Sequence, residues 1–231
     1  MCDARPMPTS RPTGGAPRGA SKAAKENTLE AFALAGRMGA AMVELDVRRS
    51  ADGALVVHHD PFDVRPSYAP TLSEALDVCI AHAMEVNIEI KNSPRDPDFD
   101  PADTVAADVV ALLAVRGDGD RMLLSSFNPA TIAAVRQADP SLRTGYLFTR
   151  TLLLPLSAIA DAGHSAIHPY DESVTSALVD DAHTLGLLVN VWTVDNPARM
   201  RELAALGVDA IITNVPDLAL STLVDVERAS R

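Results

Sequence analysis

Only two cysteines stand in this chain of 231 residues, Cys2 and Cys79. They are too few and too far apart for a disulfide framework or a zinc knuckle. Aromatic residues make up 4%, so a core must be built from Leu, Val, Ile and Ala. Basic residues are outnumbered 20 to 31, for a net charge of −11. Such a field repels nucleic acid and anionic membranes. No run approaches the roughly 18 apolar residues of a membrane span, and no apolar signal-type segment opens the sequence. The expectation is a cytoplasmic protein with no stable membrane insertion and no nucleic-acid partner. No Gly-rich dinucleotide loop follows any apolar run, and no nucleophile elbow surrounds Ser125-Ser126. These absences count against an open dinucleotide-binding sheet and against serine hydrolysis.

What is present is a regular alternation. Residues 1–16 hold three prolines, two glycines and few large apolar groups, and read as a loose tail. From 17 to 231 the chain reads as one domain. Asn27, with Glu30 three positions on, predicts the cap of a first helix. Core strands are expected at 41–47, 85–91, 121–126, 142–148, 164–169, 187–193 and 209–213, with helical patterns between them. An extended run at 54–59 follows the turn Asp52-Gly53. Apolar strands alternating with helices predict a parallel sheet with helices outside. The count favours a (βα)8 TIM barrel, although RPTGGAP is a poor candidate for its first strand. Barrel sites lie at the carboxyl ends of the strands.

Glu44 and Asp46 stand two apart, so both face one side of a strand while Val43, Leu45 and Val47 face the other. Two inward carboxylates cost several kcal/mol unless paired or metal-bound. One reading is an ion pair with Arg48 or a neighbouring lysine. The other adds Glu89 from the next core strand, three carboxylates converging on a hard cation such as Mg²⁺ or Ca²⁺. Lys91 shares the face of Glu89; it either bridges internally to Glu44 or, with Arg18, meets an anionic ligand. His59, with Asp60 adjoining it, reads as a general acid or base, and His58-His59 otherwise reads as a surface pair. Trp192 is either core or a wall at a strand end. His82, His164, His168 and His183 read as structural or solvated.

These residues lie in an ordered series: RGAS (18–21), ENTLEAF (26–32), VELDV (43–47), DGALVVHHD (52–60), TLSEAL (71–76), NIEIK (87–91), LLSSFNP (123–129), VNVWTVDNP (189–197) and GVDAIITNVPD (207–217). In this order they resemble the glycerophosphodiester phosphodiesterase family over most of the chain. The resemblance implies a (βα)8 barrel that hydrolyses glycerophosphodiesters to glycerol 3-phosphate and an alcohol with a divalent cation. It implies Glu44, Asp46 and Glu89 as metal ligands, His59 as one of two acid–base histidines, Arg18 and Lys91 as phosphate contacts, and Trp192 as a cleft wall. About 25 residues separate His59 from the Glu89 strand, which makes this a compact member. Lys25 replaces a family proline. The family signature begins His-Arg-Gly, and this chain reads Pro17-Arg18-Gly19. Proline carries no proton. Losing one acid–base group costs about 10²–10⁴-fold. Pro17 thus also favours a non-catalytic phosphodiester-binding barrel. A lipid-directed phospholipase D of related architecture is a further reading, and the acidic charge counts against it.

Overall fold

The computed structural model describes residues 12–229. Strand β1 (Thr13–Pro17) leads through a turn to helix α1 (Leu29–Arg37). Then come β2 (Met42–Arg49), β3 (Leu55–Val57), α2 (Leu72–Ala81), β4 (Glu85–Ile90) and α3 (Thr104–Arg116). The alternation continues with β5 (Met122–Ser126), α4 (Pro129–Ala138), β6 (Arg143–Phe148), α5 (Leu156–Asp161), β7 (Ala166–Pro169) and α6 (Ser176–Thr184). It ends with β8 (Leu188–Val191), α7 (Pro197–Leu206), β9 (Ala210–Ile212) and α8 (Pro216–Ala229).

Eight strands pair in parallel in the order β1-β9-β8-β7-β6-β5-β4-β2, and β1 pairs with β2 to close the ring. This is the expected (βα)8 barrel. β3 lies outside the ring, antiparallel to the end of β2. Two apolar clusters fill the space between strands and helices. One gathers Val43, Leu45, Val47, Val86 and Ile88 under α1–α3; the other gathers Ile167, Val189, Val191 and Ile211 under the later helices. Each fully buried Val, Leu or Ile contributes about 1.5–3 kcal/mol by leaving water.

The helix starts follow their capping residues. The Thr71 hydroxyl accepts from the Glu74 N–H while the Glu74 carboxylate accepts from the Thr71 N–H, a complete capping box on α2. Asn128 and Asn196 cap α4 and α7 ahead of a proline in the first turn.

Two expectations need correction. Residues 13–16 are not tail; residues 1–11 lie outside the described part of the chain. β1 has almost no apolar side chains, but hydrogen-bonded neighbours on both edges replace them. Thr13 N–H donates to Asp209 O at 2.9 Å, Thr213 N–H to Gly15 O at 2.9 Å and Arg18 N–H to Glu44 O at 2.8 Å. Small residues suit this tight seam: a Cβ on Gly15 would sit 3.4 Å from Ile212 Cγ1. Asn27 does not cap α1. Thr28 does, its hydroxyl accepting from the Ala31 N–H at 3.2 Å. Asn27 instead takes a left-handed backbone, with φ of 55°, and turns its side chain into the barrel.

Candidate active site

The strand register sets the site. Glu44 stands opposite Asn87, Asp46 opposite Glu89, and Glu89 opposite Ser125. With their outward neighbours held in the apolar layer, Glu44, Asp46 and Glu89 must face inward. Their carboxylate oxygens come within 4.8 Å of one another.

Asp46 is the hub. Its Oδ2 meets Arg18 Nε at 3.0 Å and accepts from Asn27 Nδ2 at 2.8 Å; its Oδ1 faces Lys91 Nζ at 3.0 Å. Lys91 Nζ donates to Glu89 Oε1 at 2.5 Å. Glu44 Oε2 accepts from the Arg18 backbone N–H at 3.2 Å. Lys91 therefore pairs with Glu89 and Asp46, not with Glu44. Arg48 does not pair with the acids either. It grips Asp96 and Asp98 at 2.8 Å and donates from Nε to the His59 carbonyl at 2.8 Å.

Arg18 and Asn27 both carry left-handed backbones, at φ of 54° and 55°. Such conformations cost non-glycine residues on the order of 1–3 kcal/mol. They are clipped together by a 2.9 Å bond from Asn27 N–H to Arg18 O, and both side chains end on Asp46 Oδ2. Gly19 beside them, at φ of 83°, is obligatory, since a Cβ there would lie 2.6 Å from the Ala31 carbonyl carbon.

Burial pushes Glu44 well above the usual carboxylate range, and neighbouring Asp46 and Glu89 push it the same way. Glu89 is also raised by burial, against the pull of Lys91. Burial would raise Asp46 too, but Lys91, Arg18, His59 and the Asn27 hydrogen bond outweigh it and hold the group low. Lys91 is itself desolvated, and its two carboxylate partners keep it charged.

A cavity of about 420 Å³ opens over these groups, lined among others by Pro17, Arg18, Glu44, His59, Glu89, Lys91 and Trp192. His59 holds Asp60 Oδ1 through Nδ1 at 2.7 Å, and Nε2 has no hydrogen-bond partner among the described residues. Trp192 donates its indole N–H to His168 O at 2.8 Å and packs edge-on against Phe127 and Tyr170. Pro17 stands opposite Glu44 in the register.

The donor set suits a hard divalent cation, because all its ligand atoms are carboxylate oxygens. Among the described residues Glu44 Oε1 and Glu89 Oε2 receive no hydrogen bond or ion pair, and Asp46 Oδ1 accepts no hydrogen bond. The Asn87 side chain is 1% exposed, lines the same cavity, and both its polar atoms lack partners. Unsatisfied buried amides are rare and costly, so this group points to a bound polar species.

Residue-type reasoning gives Asn87 no role, takes Asn27 for a helix cap and offers Arg48 as a partner of the acids. Asn87 shares the parity of Glu89, and that signal was available. The described His168 is wholly buried, its Nε2 in contact with Asn190 Nδ2 at 3.1 Å, and burial pushes it down to about 3.

The profile of the "Glycerophosphoryl diester phosphodiesterase family" matches residues 18–67 and 62–218. The chain belongs to this family. Its members are phosphoric diester hydrolases. A glycerophosphodiester phosphodiesterase of Caldanaerobacter subterraneus is 28% identical over 88% of this chain and 94% of its own. The crystal structure of a glycerophosphodiester phosphodiesterase from Agrobacterium tumefaciens, 26% identical, superposes with a TM-score of 0.75 over 91% of this chain and 99% of that one. A phosphodiesterase of Oleispira antarctica, crystallised with its product sn-glycerol-3-phosphate, shares the fold at a TM-score of 0.82, with 24% identity over 93% of this chain and 97% of that one. Among the described residues no helix is long and apolar enough to cross a membrane.

Proposed function

We propose that this protein hydrolyses glycerophosphodiesters to glycerol 3-phosphate and an alcohol, with Mg²⁺ or Ca²⁺ held by Glu44, Asp46 and Glu89. The observation that carries it is the meeting of three buried carboxylates with two cationic side chains in one cavity. When bound, the dication polarises a phosphoryl oxygen and offsets the charge of the acids.

Arg18 and Lys91 orient the phosphodiester and neutralise the charge that develops on its equatorial oxygens. Asp46 fixes both cations, and Asn27 and the backbone clip fix Asp46. His59 faces the cavity with Nε2 free while Asp60 holds Nδ1. Water attacks phosphorus and forms the new phosphorus–oxygen bond, its proton passing to solvent, while a protonated His59 gives its proton to the departing alcohol oxygen as the old phosphorus–oxygen bond breaks. Trp192 forms the apolar wall beside the reacting phosphate. Pro17 occupies the position of the family's other histidine and supplies no proton acceptor. Turnover is therefore expected to be slower by about 10²–10⁴-fold than with a complete pair.

The test is release of glycerol 3-phosphate from a panel of glycerophosphodiesters, with and without chelator. Chelator-sensitive release that is lost in Glu44→Gln is the expected result. Release that is indifferent to both chelator and Glu44→Gln overturns the reading.

A further inference from the structure

A second cavity of about 720 Å³ adjoins the first and shares His59, Glu89, Lys91, Phe127 and Leu147 with it. With His59 giving its proton to the departing alcohol, that alcohol lies beside His59, which lines this cavity as well as the first. Its charge differs from that of the whole molecule. The chain carries −11, yet four cations line the cavity, Arg48, Lys91, Arg95 and Arg150, against three carboxylates, Asp60, Glu89 and Asp96.

The pairing is just as uneven. Each of the three carboxylates is already engaged: Asp60 by His59, Glu89 by Lys91 and Asp96 by Arg48. Arg95 has no hydrogen bond or ion pair from its guanidinium among the described residues. Arg150 is 83% exposed and reaches only Glu172, at 3.5 Å. Arg95 is held at the rim, because Arg48 ties the adjacent Asp96 and the nearby Asp98 to the barrel. Arg150 follows Thr149, whose carbonyl accepts from Ser173. An ammonium group entering here finds no free counter-charge, whereas an anion finds the unpaired guanidinium of Arg95 and the exposed one of Arg150, held only by Glu172 at 3.5 Å.

We propose that this second cavity is the leaving-group subsite and that it selects alcohols bearing a further phosphate, as in a short chain of glycerol phosphate units. Arg95 and Arg150 bind that distal phosphate. The inference rests on the hydrolase reading for the reaction at the acidic triad.

The experiment compares glycerophosphocholine, glycerophosphoglycerol and glycerophosphoglycerol bearing a terminal phosphate, whose alcohols carry a positive, zero and negative charge. kcat/KM should rise along the series, by about tenfold at the last step at low salt, and the step should shrink as salt screens it. An Arg95→Ala/Arg150→Ala variant should lose that step and keep glycerophosphoglycerol turnover within about twofold. A flat series, or a charge preference that survives in the double variant, overturns the proposal. Calorimetric affinities of the same three diesters, measured with chelator present, read the subsite without turnover. Absence of hydrolysis in every case would count against the catalytic reading, while equal affinities would count against the subsite.

Discussion

On β2 and β4 the inner face carries Glu44, Asp46 and Glu89, answered by Lys91 and Arg18. Across the barrel, on β6 to β8, it carries Gly145, Leu147, His168 and Asn190. Both sides bury polar atoms, and they stabilise them differently. The first side gathers opposite charges and leaves oxygens unsatisfied, so it is completed by something that binds. The second keeps its imidazole neutral through burial and holds Nε2 against Asn190, leaving Nδ1 without a hydrogen-bond partner among the described residues. Charge is concentrated where chemistry is proposed, and the opposite wall is a fixed support.

Substitutions can break this contrast. The largest effect is expected on the charged side. Pro17→His restores a proton-carrying group opposite Glu44 and should raise glycerol 3-phosphate release by about 10²–10⁴-fold, read in a steady-state assay. Next, Lys91→Met leaves Asp46 and Glu89 without their shared ammonium. In chelator the variant should lose about 3–5 kcal/mol in urea unfolding, and Mg²⁺ or Ca²⁺ should restore part of it. A loss that no cation relieves would mean that the acids do not share an ion.

On the neutral side the effects are steric and then protonic. Gly145→Ala places a Cβ 2.5 Å from His168 Nε2, so the imidazole must shift. An unfolding penalty of about 1–3 kcal/mol is expected, with the cation affinity of the acidic triad unchanged. The smallest effect is a pH slope. His168 titrates at about 3 when folded and near 6.5 when unfolded. Between those values the unfolded chain binds a proton that the folded protein refuses, so stability falls as pH drops. Relative to His168→Asn, the native protein should lose about 1.4 kcal/mol per pH unit in that window, measured by urea unfolding. Glu44 acts in the opposite direction, because its raised value favours the folded state as pH falls, and comparison of the two proteins cancels it.

Much of the charged side was legible from parity alone. Glu44 and Asp46 alternate with Val43, Leu45 and Val47, and Glu89 alternates with Ile88 and Ile90, so the acids had to share the interior. Other features were harder to read. β1 is buried by its neighbours and not by its own side chains, and no hydrophobic pattern announces such a strand. Asn27 was misplaced because asparagine favours both helix caps and left-handed turns. Only the tertiary contact with Asp46 decides between them. Arg48 stood close to the acids in sequence, but the loop carrying Asp96 and Asp98 claims it.

The seam between β1 and β9 sets an order of assembly. Thr13 and its partner Asp209 lie 196 positions apart, so the ring joins only after β9 has been synthesised. Arg18, one residue beyond β1, reaches Asp46 from the end of that strand. Such distant contacts are slow to form. During biosynthesis the acids of β2 therefore emerge well before the strand that locks their guanidinium partner in place, and a nascent chain lacking β9 presents them with an unsealed edge.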